Sequence, residues 1–177
     1  MAEHEPALRL EVSATVGIDL SSRRLDLVKL DERNLATHLA VELERDKRAT
    51  SWERTLRLPE LMPPSSWWDD VYLVCIEAPY GAGTGTVAVL NRVVGALAAR
   101  LPPFLRVPER CWLVRPDEWK RGLGLRVDGK PSATDMERLP LILWSNLEPP
   151  RTQDARDALC LAYYARELNM QAVRRSA

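Results

Sequence analysis

Two aspartates near the C-terminus carry the sharpest chemical signal in this sequence. Asp154 and Asp157 follow Thr152, a residue type that caps helix starts, and lead into a run rich in Ala and Leu. A helix turning about 100° per residue brings positions 154 and 157 within about 60° of each other. Ala158, Leu161, Ala165 and Leu168 fall on that same side, while Arg156, Tyr163 and Glu167 point away. Both carboxylates therefore project from the apolar face. Carboxylates pressed together into a core repel one another and lose hydration, and cations relieve both problems. Acids also favour a helix's first turn through its dipole, which accounts for Asp154 more readily than for Asp157.

Two more acids end apolar segments. Asp19 stands near the close of the stretch 11–20, on the side of Gly17, where a neighbour can approach closely; capping the turn at Ser21-Ser22 is its other reading. Glu77 closes the apolar run 71–76, and Glu is almost never fully buried without a partner; a solvated strand end is the alternative. Brought together, the four would offer hard oxygen ligands of the kind magnesium takes. Two such ions roughly 4 Å apart activate a water and stabilise the leaving oxygen of a phosphodiester.

The elements that must position these acids can be read from periodicity. Within 11–20 the even positions are apolar (Val12, Ala14, Val16, Ile18, Leu20), which predicts a strand with one apolar face. A short turn at 21–23 leads to a second strand over 25–30, and alternation over 35–44 gives a third, so the first three form an antiparallel meander. Residues 50–62 read as a short helix ended by Pro63-Pro64. The run 71–76 is apolar on both faces, as in a central strand covered by helices. A glycine-rich loop at 81–85, a helix over 86–100, a strand over 111–114 and helices over 133–145 and 152–169 complete the chain. The order implies an α/β fold, one mixed five-stranded sheet of three antiparallel strands and then parallel ones, flanked by helices. If the first and fourth strands are neighbours, Asp19 and Glu77 meet at adjacent strand ends, and the last helix brings Asp154 and Asp157 to the same point.

Length and composition set the frame. The 177 residues fit one domain, with its core at about 12–168. Basic and acidic residues balance at 25 each, so a nucleic-acid ligand would have to be held by a local basic face. Cys75, Cys111 and Cys160 are odd in number and lie in apolar runs, the pattern of reduced core thiols. The acidic N-terminus lacks the apolar stretch of a signal peptide, and no run approaches a membrane span, so a cytoplasmic protein is expected.

Three segments together resemble a known family. Val16-Gly17-Ile18-Asp19-Leu20-Ser21, then Ile76-Glu77-Ala78-Pro79-Tyr80, then Asp154-Ala155-Arg156-Asp157-Ala158-Leu159 are similar, in order and spacing, to the signature segments of RuvC-type Holliday-junction resolvases. The resemblance implies an RNase H-like fold, a homodimer, and symmetric magnesium-dependent nicking of four-way DNA junctions, with manganese as a substitute ion. Asp19, Glu77, Asp154 and Asp157 would be the metal-binding carboxylates. Tyr80 stands where the family places an aromatic that wedges at the crossover; a core-edge tyrosine is the plainer reading. The basic stretch 115–130, with Arg115, Lys120, Arg121, Arg126 and Lys130, is similar to the family's lysine-bearing DNA-contacting segment. There Lys130 would neutralise charge on the phosphate under attack; a solvated basic loop is the other reading.

The departures are specific. Leu-Ser-Ser-Arg follows Asp19 where bacterial members usually carry Pro-Gly, and the segment 45–70 with Trp52, Trp67 and Trp68 has no counterpart, as in a divergent phage or bacterial member. Trp112, Trp119 and Trp144 read as core or core-edge residues. Arg45, Lys47, Arg48, Arg54, Arg57, Arg92 and Arg100 are further cations able to track backbone phosphates. Three other readings compete: a nuclease of the same fold acting on RNA or on other branched or duplex DNA, an actin-like phosphate-binding enzyme, and a non-catalytic DNA-binding module. The second needs another phosphate motif and a second domain, for which the chain has no room. The third leaves buried carboxylates that only destabilise.

Overall fold

The computed structural model describes residues 14–21, 24–43, 50–80, 84–125 and 152–176. Five strands form one sheet: β1 (Ala14–Leu20), β2 (Arg24–Leu30), β3 (Ala36–Glu42), β4 (Val71–Glu77) and β5 (Cys111–Val114). Their order is β3-β2-β1-β4-β5. The first three pair antiparallel, and β4 and β5 add in parallel beside β1. The mixed sheet read from the sequence is the one found, with β1 and β4 as neighbours at its centre.

Helices cover both faces. On one side lie α1 (Ser51–Leu61) and α2 (Thr84–Ala98), whose Leu58, Val93 and Leu97 pack on Val16, Ile18, Val74 and Ile76. The α1 start is closed by a reciprocal cap, Thr50 Oγ1 accepting from the Glu53 N–H and Glu53 Oε2 from the Thr50 N–H. Trp68, in a 3-10 turn at Ser65–Trp68, is buried in this same layer. On the other side lies α4 (Gln153–Ser176), with Leu161, Cys160 and Ala158 against Leu73, Cys75 and Val28. Cys75 and Cys160 are buried and Cys111 is half-buried, all as free thiols.

Two expectations change, and a third is sharpened. Strand β1 has the one apolar face expected, Ala14, Val16 and Ile18, but its other face is buried as well, because α4 lies against Thr15, Gly17 and Asp19. A Cβ on Gly17 would collide with the backbone of Ala158 and Ala162, so only glycine lets the helix sit this close. Thr15 Oγ1 donates to the Ala162 carbonyl at 2.9 Å, which satisfies its hydroxyl inside the same contact. The basic stretch expected as a loop contains a helix, α3 (Pro116–Gly122), opened by Pro116 with Asp117 and Glu118 in its first turn. Helix α4 continues to Ser176, beyond the expected end at 169. The helix expected over 133–145 lies outside the described residues, as does Trp144. No helix among the described residues is long and apolar enough to cross a membrane.

Candidate active site

Alternation along β1 and β4 decides which side chains share a face. Thr15, Gly17 and Asp19 face α4, as do Leu73, Cys75 and Glu77. Ile18 is paired with Ile76 in the parallel register, so Asp19 and Glu77 follow side by side at the carboxyl ends of neighbouring strands. The first turns of α4 descend on that edge and carry Asp154 and Asp157 to it. Thr152 Oγ1 accepts from the Ala155 N–H at 3.2 Å, as a helix-capping threonine should.

Asp19, Glu77 and Asp157 each feel the charge of neighbouring acids, Asp154 among them. Asp19 is 9% exposed, and its pKa is pushed up to about 8, by burial first and then by the charges of Glu77, Asp157 and Asp154. Asp157 rises to about 6 through burial, with Glu77 and Asp154 adding and Lys120 opposing. Glu77 is also raised by burial, and Asp154 adds to it. Among the described residues, none of the ion pairs involves Asp19. Among the described residues, then, the most desolvated of these carboxylates has no cation paired with it.

Three neighbours hold these carboxylates in place. The indole N–H of Trp119, fully buried on α3, donates to Glu77 Oε2 at 2.9 Å. Gln153 Nε2 donates to Asp157 Oδ1 at 2.5 Å. The Lys120 ammonium, 4.9 Å from the centre of the Trp119 ring, lowers the proton affinity of both Glu77 and Asp157. Sequence reasoning missed the role of Trp119, because a hydrogen bond spanning 42 positions leaves no local pattern.

The remaining basic and aromatic candidates separate. Tyr80 is 60% exposed just beyond Glu77, with the Arg115 guanidinium 4.8 Å from its ring centre. Arg115 also pairs with Asp117 at 3.0 Å, and Arg121 reaches the same carboxylate only at 3.9 Å. Arg126 and Lys130 lie outside the described residues, as do Arg45, Lys47 and Arg48. Arg57 on α1 and Arg92 on α2 lie across the sheet from the acids, and Arg100 follows the end of α2.

The donor set suits a hydrated hard cation. Among the described residues no three His, Cys, Asp or Glu side chains stand as a ready-made cage. Magnesium does not require one, since it keeps several waters and uses one or two carboxylates. A divalent ion would supply the positive charge that the desolvated Asp19 lacks.

No protein-family model matches the chain, and no curated protein matches it. Among solved structures, RuvC of Thermus thermophilus in complex with a Holliday junction substrate is similar, at 16% identity and a TM-score of 0.63, over 89% of this chain and 96% of that one. A second structure of Thermus thermophilus RuvC gives 17% identity and a TM-score of 0.60 over the same shares, 89% and 96%. The likeness is one of fold: the chain has the RNase H-like mixed sheet with its flanking helices.

Proposed function

We propose that this chain is a RuvC-type junction resolvase, a magnesium-dependent endonuclease that nicks four-way DNA junctions as a homodimer. The observation that carries the reading is Asp19, buried among Glu77, Asp154 and Asp157 at one sheet edge and paired with no cation among the described residues. Crowded, desolvated carboxylates such as Asp19, Glu77 and Asp157 are a liability for stability alone, and a bound cation removes it. The fold shared with a structure holding a Holliday junction supports the choice of DNA substrate.

Asp19, Glu77, Asp154 and Asp157 would hold magnesium, with manganese as a substitute. The ions would supply an activated water and charge neutralisation at the phosphate. The chain's own groups do the positioning. Trp119 engages one oxygen of Glu77 and would leave the other for the metal. Lys120 places a positive charge beside Glu77 and Asp157, where it stabilises charge developing on a phosphate, a role it would share with Lys130. Tyr80, exposed and backed by Arg115, offers a ring on which an unpaired base can stack. Arg121 and Arg126 would contact the DNA backbone from the same stretch.

The test is cleavage of a labelled four-way junction with magnesium, using duplex DNA and an RNA–DNA hybrid as controls. Asp19→Asn and Asp157→Asn should each abolish nicking while the fold is kept. Unchanged cleavage in either variant would overturn the assignment, and preference for the hybrid would move the chain to an RNA-directed nuclease of the same fold. Sedimentation of the intact chain checks the dimer.

A further inference from the structure

A second charged group flanks the acidic edge on its opposite side. Asp19 on β1 is paired with Asp26 on β2, and residues opposed in an antiparallel pair share a face. Asp26 thus points to the same side as the four acids, yet its side chain is only 1% exposed and both its oxygens are engaged. Oδ2 accepts from Arg24 Nε at 2.7 Å; Oδ1 accepts from Arg24 Nη2 at 2.7 Å and lies 2.7 Å from His38 Nε2. A fifth carboxylate is thereby withdrawn from metal binding, and its protons are held off by His38 and Arg24 despite burial.

The guanidinium that Asp26 grips is closed on one side and open on the other. Arg24 keeps 29% of its side chain exposed. With Nε and one Nη2 hydrogen turned to Asp26, the fork still has both Nη1 hydrogens and the second Nη2 hydrogen, the paired edge that fits two oxygens of a phosphate. Arg24 begins β2, at the sheet edge where β1 ends, and the Asp154 and Glu42 carboxylates add to the hold of Asp26 on its charge. Lys120 stands on the Glu77 and Asp157 side, and β2 lies on the other side of β1 from β4. A DNA strand laid across the acids would pass between these two cations.

We infer that Arg24, preset by Asp26 and His38, binds a backbone phosphate of the DNA strand beside the one that is cleaved. The inference rests on the nuclease reading above. Because the Arg24–Asp26 pair is half-open, its purpose is distinguishable from that of a structural ion pair: the latter changes stability, whereas a phosphate contact changes the salt dependence of DNA binding.

The experiment measures binding of a labelled four-way junction to the full chain in EDTA, over about 50 to 200 mM salt. Magnesium-dependent nicking is read in parallel. Arg24→Gln keeps a donor for Asp26 and removes the charge. It should weaken binding by roughly tenfold at the lower salt and reduce the logarithmic salt slope by about one. It should also raise KM more than it lowers kcat. Arg24→Lys should restore the slope without the full affinity, since a point charge replaces the fork. A folded Arg24→Gln chain with unchanged slope and affinity overturns the inference while wild-type nicking leaves the nuclease reading standing. An Arg24→Gln chain that fails to fold assigns Arg24 to a structural ion pair and overturns it as well. A wild-type chain that neither binds nor nicks the junction removes both.

Discussion

Trp119 shows how much of this site depends on one hydrogen bond. Its indole fills the space between α3 and the sheet, and its N–H fixes Glu77. Trp119→Phe keeps most of the packing and removes the donor, so magnesium affinity or nicking should fall by about 10- to 100-fold, a range seen when partners of metal ligands are lost. Titration calorimetry and the junction assay check this. Asp19 makes a second prediction, with a definite sign. Its folded pKa, about 8, lies above its ordinary value of 3.8. The folded state therefore binds the extra proton, and stability is full below about pH 4 and declines as pH rises through about 8. In EDTA, Tm should fall between these limits, Asp19→Asn should flatten the decline, and magnesium should raise Tm more at pH 8 than at pH 5. A flat Tm in EDTA would contradict it. The acids themselves were legible from sequence: Asp154 and Asp157 by helical phase, Asp19 and Glu77 by ending apolar runs. Trp119 and the Arg24–Asp26–His38 group were not, because their meaning lies in contacts between strands and helices that no local spacing encodes.

The element that brings the aspartates to the strands is α4, and two contacts fix where it lies. One is Gly17, where its backbone rests on β1. The other is Arg166, buried on α4, which donates to Asn34 Oδ1 and the Asp31 carbonyl in the β2–β3 turn. Asn34 adopts a left-handed backbone (φ 61°), a conformation that Asn tolerates better than most residues. Gly17→Ala must push the helix away and should cost about 1–3 kcal/mol of stability, read by urea denaturation. Its effect on nicking should exceed the effect on stability, because it shifts Asp154 and Asp157 away from Asp19. Nicking at the wild-type rate would show that the close seat of α4 is not needed. At this scale the sheet and the last helix were readable because period-two and helical patterns persist over many residues. Helix α3 was not; at seven residues it is too short for a pattern, although Pro116 with two acids after it was a usable start signal.

At the scale of the whole molecule, the clustered acids among the described residues lie on one face of the sheet. The sheet's α1–α2 side carries an apolar core, and the α4 side carries the acids with Lys120 and Arg24 beside them. A chain with 25 basic and 25 acidic residues has no net charge with which to attract DNA. Binding should therefore come from that one face and weaken steeply with salt, and removing the charge of Arg92, on α2 at the opposite side, should leave junction affinity within about twofold. A larger loss in an anisotropy titration would place DNA on α2 instead. The backbone-on-backbone seat at Gly17 bears on how such a protein diversifies. Gly17 faces the Ala158 and Ala162 backbone and the Leu161 Cβ, none of which a change of rotamer can move, so the spacing cannot be absorbed by side chains. The spacing of Asp19 from the helix aspartates is therefore set by backbone packing. Glu77, tethered through Trp119 to the short α3, is the adjustable part, and a lineage that came to prefer a larger ion or a different backbone geometry would have to vary α3.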